Sequence, residues 1–524
     1  MKNIFSTNPD LIQNHKKLTS LISLGILLLT VVLYAFLMFR DDVPLIGLIL
    51  LAVLWLLHAF ISGSQSHITP MHPPILAILI LLPLNLLVSA SPQLTLVKVF
   101  GLILSFSLFF VIIHLVQFRK DLPLLIISLL ALSLGAALLG LLATEFPAGG
   151  IAFISRIAQR LPQISSILFG ASINKNTMGG ALTFFPPLLL SLLWDKDSFK
   201  SLLAKLPQFK RLPVLLYKPL LILILALTLL VLLLTQSRGA WLGTAVGLFV
   251  FLVWKDKRFL IAIPIGLIFL FLLVKQTGDG TLLGFLSLLD QGQDSSLPGR
   301  VEIWAKVISL IKDFPATGIG LDALGQVYPI YFNSFLFPEY SSTLFHAHNT
   351  LLSVAIEMGL PTLILYVSLL TSFGVMARHA WKHARSINRV LIMGLVCGML
   401  SHQVFGIMDA FTLGKNLGVT MWIYYAIMAA LFIHQHQMIN SKPPQDNPET
   451  TLPGKVQIRY LLLGLASWIV FTLIVLTFCQ KNIYISLLLS LFLGILLGWF
   501  LMKRFIYLSS ITNISKQNQV ATYD

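Results

Sequence analysis

The sequence predicts an all-α, polytopic transmembrane helix bundle of about 12–14 spans, with one large loop on its outer face. Two observations carry that prediction. Only 11% of the 524 residues are charged and 57% are hydrophobic, with a mean hydropathy of +0.88, whereas a soluble globular domain carries about 25% charged residues. The apolar residues also gather into about fourteen runs, most of them near the roughly 20 residues that a helix needs to cross a bilayer. This composition excludes a water-soluble enzyme and a disordered chain. The runs are too long and too uniformly apolar for barrel strands, and in lipid a helix is the other structure that satisfies its own backbone.

The runs are 18–39, 43–62, 74–90, 95–117, 122–144, 179–195, 213–235, 239–254, 259–274, 349–377, 390–411, 416–435, 459–479 and 482–502. The first follows Lys16 and Lys17, is too long for a signal-peptide core and lacks a small-x-small cleavage site, so it reads as a retained helix. The third is short and contains Pro83, which makes it the weakest span. Lys and Arg exceed Asp and Glu by 36 − 20 = 16. In a membrane protein that excess belongs to cytoplasmic loops rather than to a nucleic-acid partner. With the N-terminus inside, Arg119–Lys120, the lysines and arginine of 196–211, Lys255 to Arg258, Arg378 to Arg389 and Lys503–Arg504 all fall on one side. One missed or surplus helix would invert half of these clusters. Cys397 and Cys479 both lie in or at the end of apolar segments, so neither a disulfide framework nor a zinc site is indicated.

Two long segments then lie outside, 145–178 and 275–348. A loop as long as the second is uncommon in a compact bundle and often functional. Within it Val301, Trp304, Ile308 and Ile311 recur at helical spacing, Pro298 suits a helix start, and Pro315 with Gly318 suits a stop. This helix either lies against the bundle or forms a lid over an outward cavity. The expected organisation is a bundle over 1–438 including the loop 275–348, a Pro-rich cytoplasmic linker over 439–457, an additional helical hairpin over 458–503 and a polar tail over 504–524, disordered beyond about Leu508.

Several polar groups stand out against this background. Ser237-Arg238-Gly239-Ala240-Trp241 opens a helix on the outer side. Arg238 is either a snorkelling anchor or an anion clamp whose guanidinium forks onto phosphate oxygens near a helix N-terminus. Arg300 and Trp304 share one helical face at i, i+4, either as a surface stack or as a phosphate or sugar contact. His346-Ala347-His348-Asn349 closes the long loop. Two histidines at i, i+2 offer half of a metal-ligand set, yet no carboxylate or cysteine cluster accompanies them in sequence, and a neutral imidazole here suits a general base. His346 is expected to point away from His348 if the helix has begun. Asn174 and Asn176, flanking Lys175 and downstream of Arg156 and Arg160, either cap a helix or bind a polar headgroup. His402 and Asp409 are intramembrane candidates that a helix–helix hydrogen bond explains equally well. Glu357 falls on the opposite helix face from His348 and is expected to pair with another helix.

These residues carry a resemblance. Ser-Arg-Gly-Ala-Trp-Leu-Gly at 237–243 is similar to a signature of the O-antigen ligase/polymerase (Wzy_C) superfamily, closest to O-antigen ligase. Arg300-x-x-x-Trp304 with Pro315-x-x-Gly318-x-Gly320 resembles its loop motif. His348-Asn349, then Gly359 and Thr362, matches its ligase pattern. The resemblance extends in topology to about residue 438, and the hairpin 459–502 departs from it. It implies a type C glycosyltransferase-like fold in a bacterial inner membrane, with a cytoplasmic N-terminus. The implied activity is inverting, metal-independent and cofactor-free transfer of a glycan from a polyprenyl (undecaprenyl) diphosphate carrier to a glycolipid acceptor of the lipid A–core type, on the periplasmic face. By the same resemblance His348 is the base, and Arg238 and Arg300 hold the diphosphate. Asn349, Asn174, Asn176 and Trp304 join them as substrate-binding candidates. A polymerase of the same superfamily is the nearest alternative. A bicarbonate or other small-solute transporter is the alternative of another class, but transporters place their polar groups near mid-membrane, often between inverted repeats.

Overall fold

A computed structural model describes residues 9–39, 44–62, 68–119, 122–149, 151–161, 172–195, 214–275, 297–332, 346–410, 413–414, 418–440, 454–479 and 481–521. The protein is an all-α bundle. Helices Pro9–Phe39 (α1), Leu45–Ser62 (α2), His72–Leu87 (α3), Pro92–Arg119 (α4) and Leu122–Ala143 (α5) come first. A short helix, Ala152–Ala158 (α6), lies between Thr144–Glu145 (β1) and Ile173–Asn174 (β2), which pair in parallel. Then follow Lys175–Leu182 (α7), Phe185–Trp194 (α8), Val214–Thr235 (α9), Arg238–Lys255 (α10) and Ala262–Lys275 (α11). The long loop contributes Leu297–Asp313 (α12) and Leu324–Phe332 (α13). The chain ends with Thr350–His383 (α14), Ile387–Met408 (α15), Val419–Asn440 (α16), Gly454–Cys479 (α17) and Ile483–Ala521 (α18).

Among the described residues, each predicted apolar run lies largely in helix. Among the described residues, nine helices are long and apolar enough to cross a membrane, and Leu45–Ile61 and His72–Leu87 are shorter apolar helices. Three details differ from expectation. The sixth run is two helices, because Pro186 and Pro187 lie in the first turn of α8, just after Phe185, and start it afresh. The tail expected to be disordered continues α18 to Ala521, past the apolar span that ends at Ser510; residues 511–521 contain no Gly or Pro to stop a helix. Within α12 the buried face is Val307, Leu310 and Ile311, while Val301 is 53% exposed. The predicted stripe is therefore rotated, because α12 is docked against α14 rather than floating on the surface. The linker residues 441–453 lie outside the described residues.

The element that organises the outer half is α14. It is interrupted at Gly359, whose φ of 81° breaks the helical path. Interrupted backbone inside a bundle must find other partners, and the loop 315–320 supplies them. Ile319 N–H donates to the Ile356 carbonyl at 2.9 Å, Gly320 N–H to that of Glu357 at 3.1 Å, and Leu360 N–H to that of Pro315 at 2.8 Å. Asn85 of α3 donates to the Glu357 carbonyl at 2.7 Å and accepts from Leu321 N–H at 3.1 Å. Gly318 holds φ 65° while its Cα lies against the Glu357 backbone, so a side chain fits there neither in conformation nor in space. Glu357 is fully buried between Asp322, whose charge opposes its own and whose N–H reaches its carboxylate, and Lys98 of α4 within electrostatic reach; its Oε1 has no hydrogen-bond partner among the described residues, so the helix–helix pairing expected for it is not seen. Lys98 in turn pairs with Asp322 at 3.5 Å.

The additional hairpin α17–α18 packs on this same helix. Trp468 Nε1 donates to the Pro361 carbonyl at 3.1 Å, satisfying an acceptor next to the break. Gly494 and Gly498 of α18 let its backbone approach α14 as small-residue pairs do in membranes. A Cβ on Gly498 would lie 2.6 Å from the Ser368 carbonyl oxygen and 2.8 Å from Thr371 Cβ. Gly498→Leu is therefore expected to lower the melting temperature of the detergent-solubilised protein, in line with the roughly 1–3 kcal/mol cost of overpacking. An unchanged melt would show that α18 is not seated on α14.

Candidate active site

The site is assembled where α10, α12, α14 and α15 meet at one end of the bundle. Gly239, Gly243 and Gly247 recur every fourth residue along α10 and face α15, where Gly243 and Gly247 press on the Ser401 and Cys397 backbone. This spacing brings two helices into backbone contact. At its end a Cβ on Gly239 would lie 3.3 Å from Met408 Cβ. Arg238, one residue earlier, is exposed at the end of α10 that meets the end of α15. Trp241 of the same motif bonds back across the turn, its Nε1 donating to the Leu232 carbonyl at 2.7 Å.

Asp409 is the hub. Its side chain is only 4% exposed, and its Oδ1 lies 2.9 Å from His346 Nε2 and 3.1 Å from His348 Nδ1. The same oxygen accepts from Ala410 N–H at 2.9 Å. Burial alone raises the carboxyl, but hydrogen bonds from the two imidazoles outweigh it and hold Asp409 well below the usual carboxylate range. An ionised carboxylate only accepts, so His346 donates from Nε2 and His348 from Nδ1. A neutral His348 then carries its lone pair on Nε2, away from Asp409.

This arrangement corrects the expectation that His346 points away. The helix begins only at Thr350, with Asn349 as its cap. His348 sits outside it at φ 48°, a strained conformation for a non-glycine residue. The bend brings the two rings to 4.5 Å between centroids. It also corrects the expectation that no carboxylate accompanies the histidines, since Asp409 arrives from 61 residues away. Ligand atoms of His346, His348 and Asp409 lie within 4.8 Å of one another, the group among the described residues with the donor set for a metal ion.

The loop helix reaches the same point. Trp304 Nε1 donates to the His348 carbonyl at 3.3 Å. Arg300 lies one turn earlier on α12, about 5–6 Å away in Cβ spacing, and its Nε is buried with no hydrogen-bond partner among the described residues. Asn349 is engaged at both ends of its amide, with Oδ1 accepting from Leu352 N–H at 3.1 Å and Nδ2 donating to the Ile407 carbonyl at 3.1 Å. It locks the start of α14 to the end of α15. Asn174 caps α7 by accepting from Asn176 N–H at 2.8 Å. Helix α7 begins beside α10, where Gly179 contacts Ser237 and Ala240, and Lys175 lies within electrostatic reach of Arg238. Asn176 is half-buried in the first turn of α7. His402 stands apart and makes the helix–helix bond foreseen for it, donating to the Gly180 carbonyl at 3.0 Å and stacking on Phe184.

Residues 223–367 match the O-antigen ligase family, Wzy_C. That segment carries the O-antigen ligase/polymerase superfamily match and runs from within α9 to just past the break in α14. It includes Arg238, Arg300, Trp304, His346 and His348. Asp409 and the hairpin α17–α18 lie beyond the O-antigen ligase match. No curated protein matches the chain. The O-antigen ligase family acts in membrane glycosyl transfer, on lipid-linked glycans and lipid acceptors. Asp409 is the residue whose part the sequence left open, and its signal was an ionisable group in an otherwise apolar run.

The depressed Asp409 predicts a pH signature. An acid whose folded pKa lies below its unfolded value of about 3.9 stabilises the fold above that value and loses the contribution as pH falls through the folded one. Asp409→Asn should therefore melt below the unmodified protein at pH 6, and the gap should narrow as the pH drops below about 4. A gap that is absent at pH 6 would remove Asp409 from the hub.

Proposed function

We propose that this chain is an inverting membrane glycosyltransferase of the O-antigen ligase type, moving a glycan from a polyprenyl diphosphate carrier to a glycolipid acceptor. The observation that carries the reading is His348, whose Nδ1 is held by Asp409 so that Nε2 is left as the base, and whose carbonyl accepts from Trp304, one turn along α12 from Arg300. In this mechanism Nε2 takes the proton from an acceptor hydroxyl as its oxygen attacks the anomeric carbon from the face opposite the diphosphate. The bond from that carbon to the diphosphate oxygen breaks, and its electron pair leaves on the diphosphate. Arg238 and Arg300 hold the developing charge, since guanidinium forks match phosphate oxygens. Trp304 and Asn349 keep His348 in place, and Asn174 and Asn176 shape the neighbouring mouth at the start of α7.

The reaction needs no cofactor in this scheme, because the diphosphate is already a good leaving group. The site opens on the periplasmic face of a bacterial inner membrane, with the N-terminus cytoplasmic, a placement supported by the basic clusters on the opposite side. The site residues sit at helix ends and on the long loop, which favours transfer at the membrane surface over transport through its middle.

Two tests bear on this. With purified protein, lipid-linked donor and glycolipid acceptor, His348→Ala should lose the roughly 10²–10⁴-fold that a general base supplies while still binding donor. His346→Ala should lose less, because Asp409 keeps His348 as a donor, and chelators should change nothing. Near-full transfer by His348→Ala, or loss on chelation, would overturn the mechanism. Secondly, Arg238→Lys should weaken use of the diphosphate donor almost as much as Arg238→Ala, because lysine keeps the charge but not the fork; full activity in either would remove the clamp.

A further inference from the structure

The short helix α6 has an outward face that the transfer chemistry does not use. Its inner face, Ile154, Ser155 and Ala158, is buried and packs on Leu234 and Trp241. It is fastened to the α9–α10 turn by one side chain. Gln236, at φ 50°, accepts from Ile151 N–H through Oε1 at 2.8 Å. Its Nε2 donates to Ser155 Oγ at 2.9 Å and to the Gly149 carbonyl at 3.3 Å. Gln236 closes the turn from which Ser237 and Arg238 begin α10. Helix α6 is therefore fixed at the level where two adjacent helices end.

On the opposite side, Phe153, Arg156 and Ile157 lie at i, i+3 and i+4 along α6, and Arg160 follows in the turn after it. Phe153 is 70% exposed and Ile157 39%, with Ile151 at 50% beside them. Arg156 and Arg160 are exposed and form no ion pair among the described residues; Arg156 Nε makes a long 3.4 Å bond to a carbonyl of its own helix. They also lie opposite the basic clusters of the chain, against the trend that gathers arginine on one side. Exposed aromatic and aliphatic side chains interleaved with arginines mark a helix lying in the bilayer interface. A soluble anion would explain the arginines but leave Phe153 and Ile157 in water, whereas a lipid explains both, taking the apolar tips at its acyl boundary and the guanidinium groups at its phosphate.

We propose that this outward face of α6, with the turn that follows it, is a docking surface for the headgroup of an anionic phospholipid, with Phe153 and Ile157 in the acyl boundary and Arg156 and Arg160 on its net negative phosphate. The assignment stands independently of glycosyl transfer. Its test uses the full-length protein, whose two cysteines are buried, carrying bimane at Ile157→Cys in phosphatidylcholine liposomes. Quenching is compared for doxyl-labelled phosphatidic acid and doxyl-labelled phosphatidylcholine at equal mole fraction. The acidic lipid should quench about fivefold more, in keeping with the attraction of arginines near a surface to anionic lipid. Arg156→Gln with Arg160→Gln should bring it down to the phosphatidylcholine level while leaving quenching by phosphatidylcholine intact. Equal quenching by both lipids, no quenching by either, or a preference erased by millimolar inorganic phosphate would each overturn the proposal. Because no transfer is measured, failure here and failure of the glycosyltransferase reading are separate results.

Discussion

Backbone polar groups inside a membrane bundle have no water to turn to, and the break in α14 at Gly359 is where this constraint shapes the molecule. The groups released there are taken up by the loop 315–320, by Asn85 and by Trp468. The loop that carries α12 is thereby joined, through its backbone, to the helix that begins next to His348. Arg300 and Trp304 are placed by hydrogen bonds some ten residues further along the chain. The Pro315-x-x-Gly318-x-Gly320 pattern makes sense in these terms: Gly318 and Gly320 adopt positive φ at points where a side chain would strike the α14 and α3 ends.

A second constraint is electrostatic. Arg238, Lys175 and Arg300 bring positive charge to one end of the bundle, while the nearby carboxylate of Asp409 is already engaged by two imidazoles and an amide N–H. Asp409 therefore orients histidines more than it neutralises arginines. An anion of high charge density fits the remaining field, which is what the proposed diphosphate donor would supply. On the proposed readings, the anion-facing features of this end divide between a substrate mouth and the lipid-facing strip of Arg156 and Arg160.

The hairpin α17–α18, which had no counterpart in the family pattern, is tied to the same helix. Its glycines let it lie close to α14, and Trp468 reaches the carbonyl beside the break. Its contacts with α14 fall on the middle of that helix, at Pro361 and Ser368 to Thr371.

Much of this was legible in the residues alone. The apolar runs and the helix between Pro298 and Pro315 follow from composition, length and spacing, which depend only on local sequence and on the bilayer as solvent. Arg238, Arg300, Trp304 and His348 were recognisable because each sits in a short pattern. Asn349 and Asn174 could be read either as caps or as ligands, and the caps are what the structure shows, since their side-chain oxygens meet N–H groups of the first turn. The pairing of His346 and His348 on Asp409 was not legible. It depends on a positive φ at His348 and on the end of α15 meeting the start of α14, and neither a backbone angle nor a contact across 61 residues has a periodic signature. The sequence by itself determined the class of fold and the residue types available for chemistry; the tertiary structure alone decided which carboxylate faces which imidazole, because the end of α15 meets the start of α14 and so brings Asp409 to the two histidines.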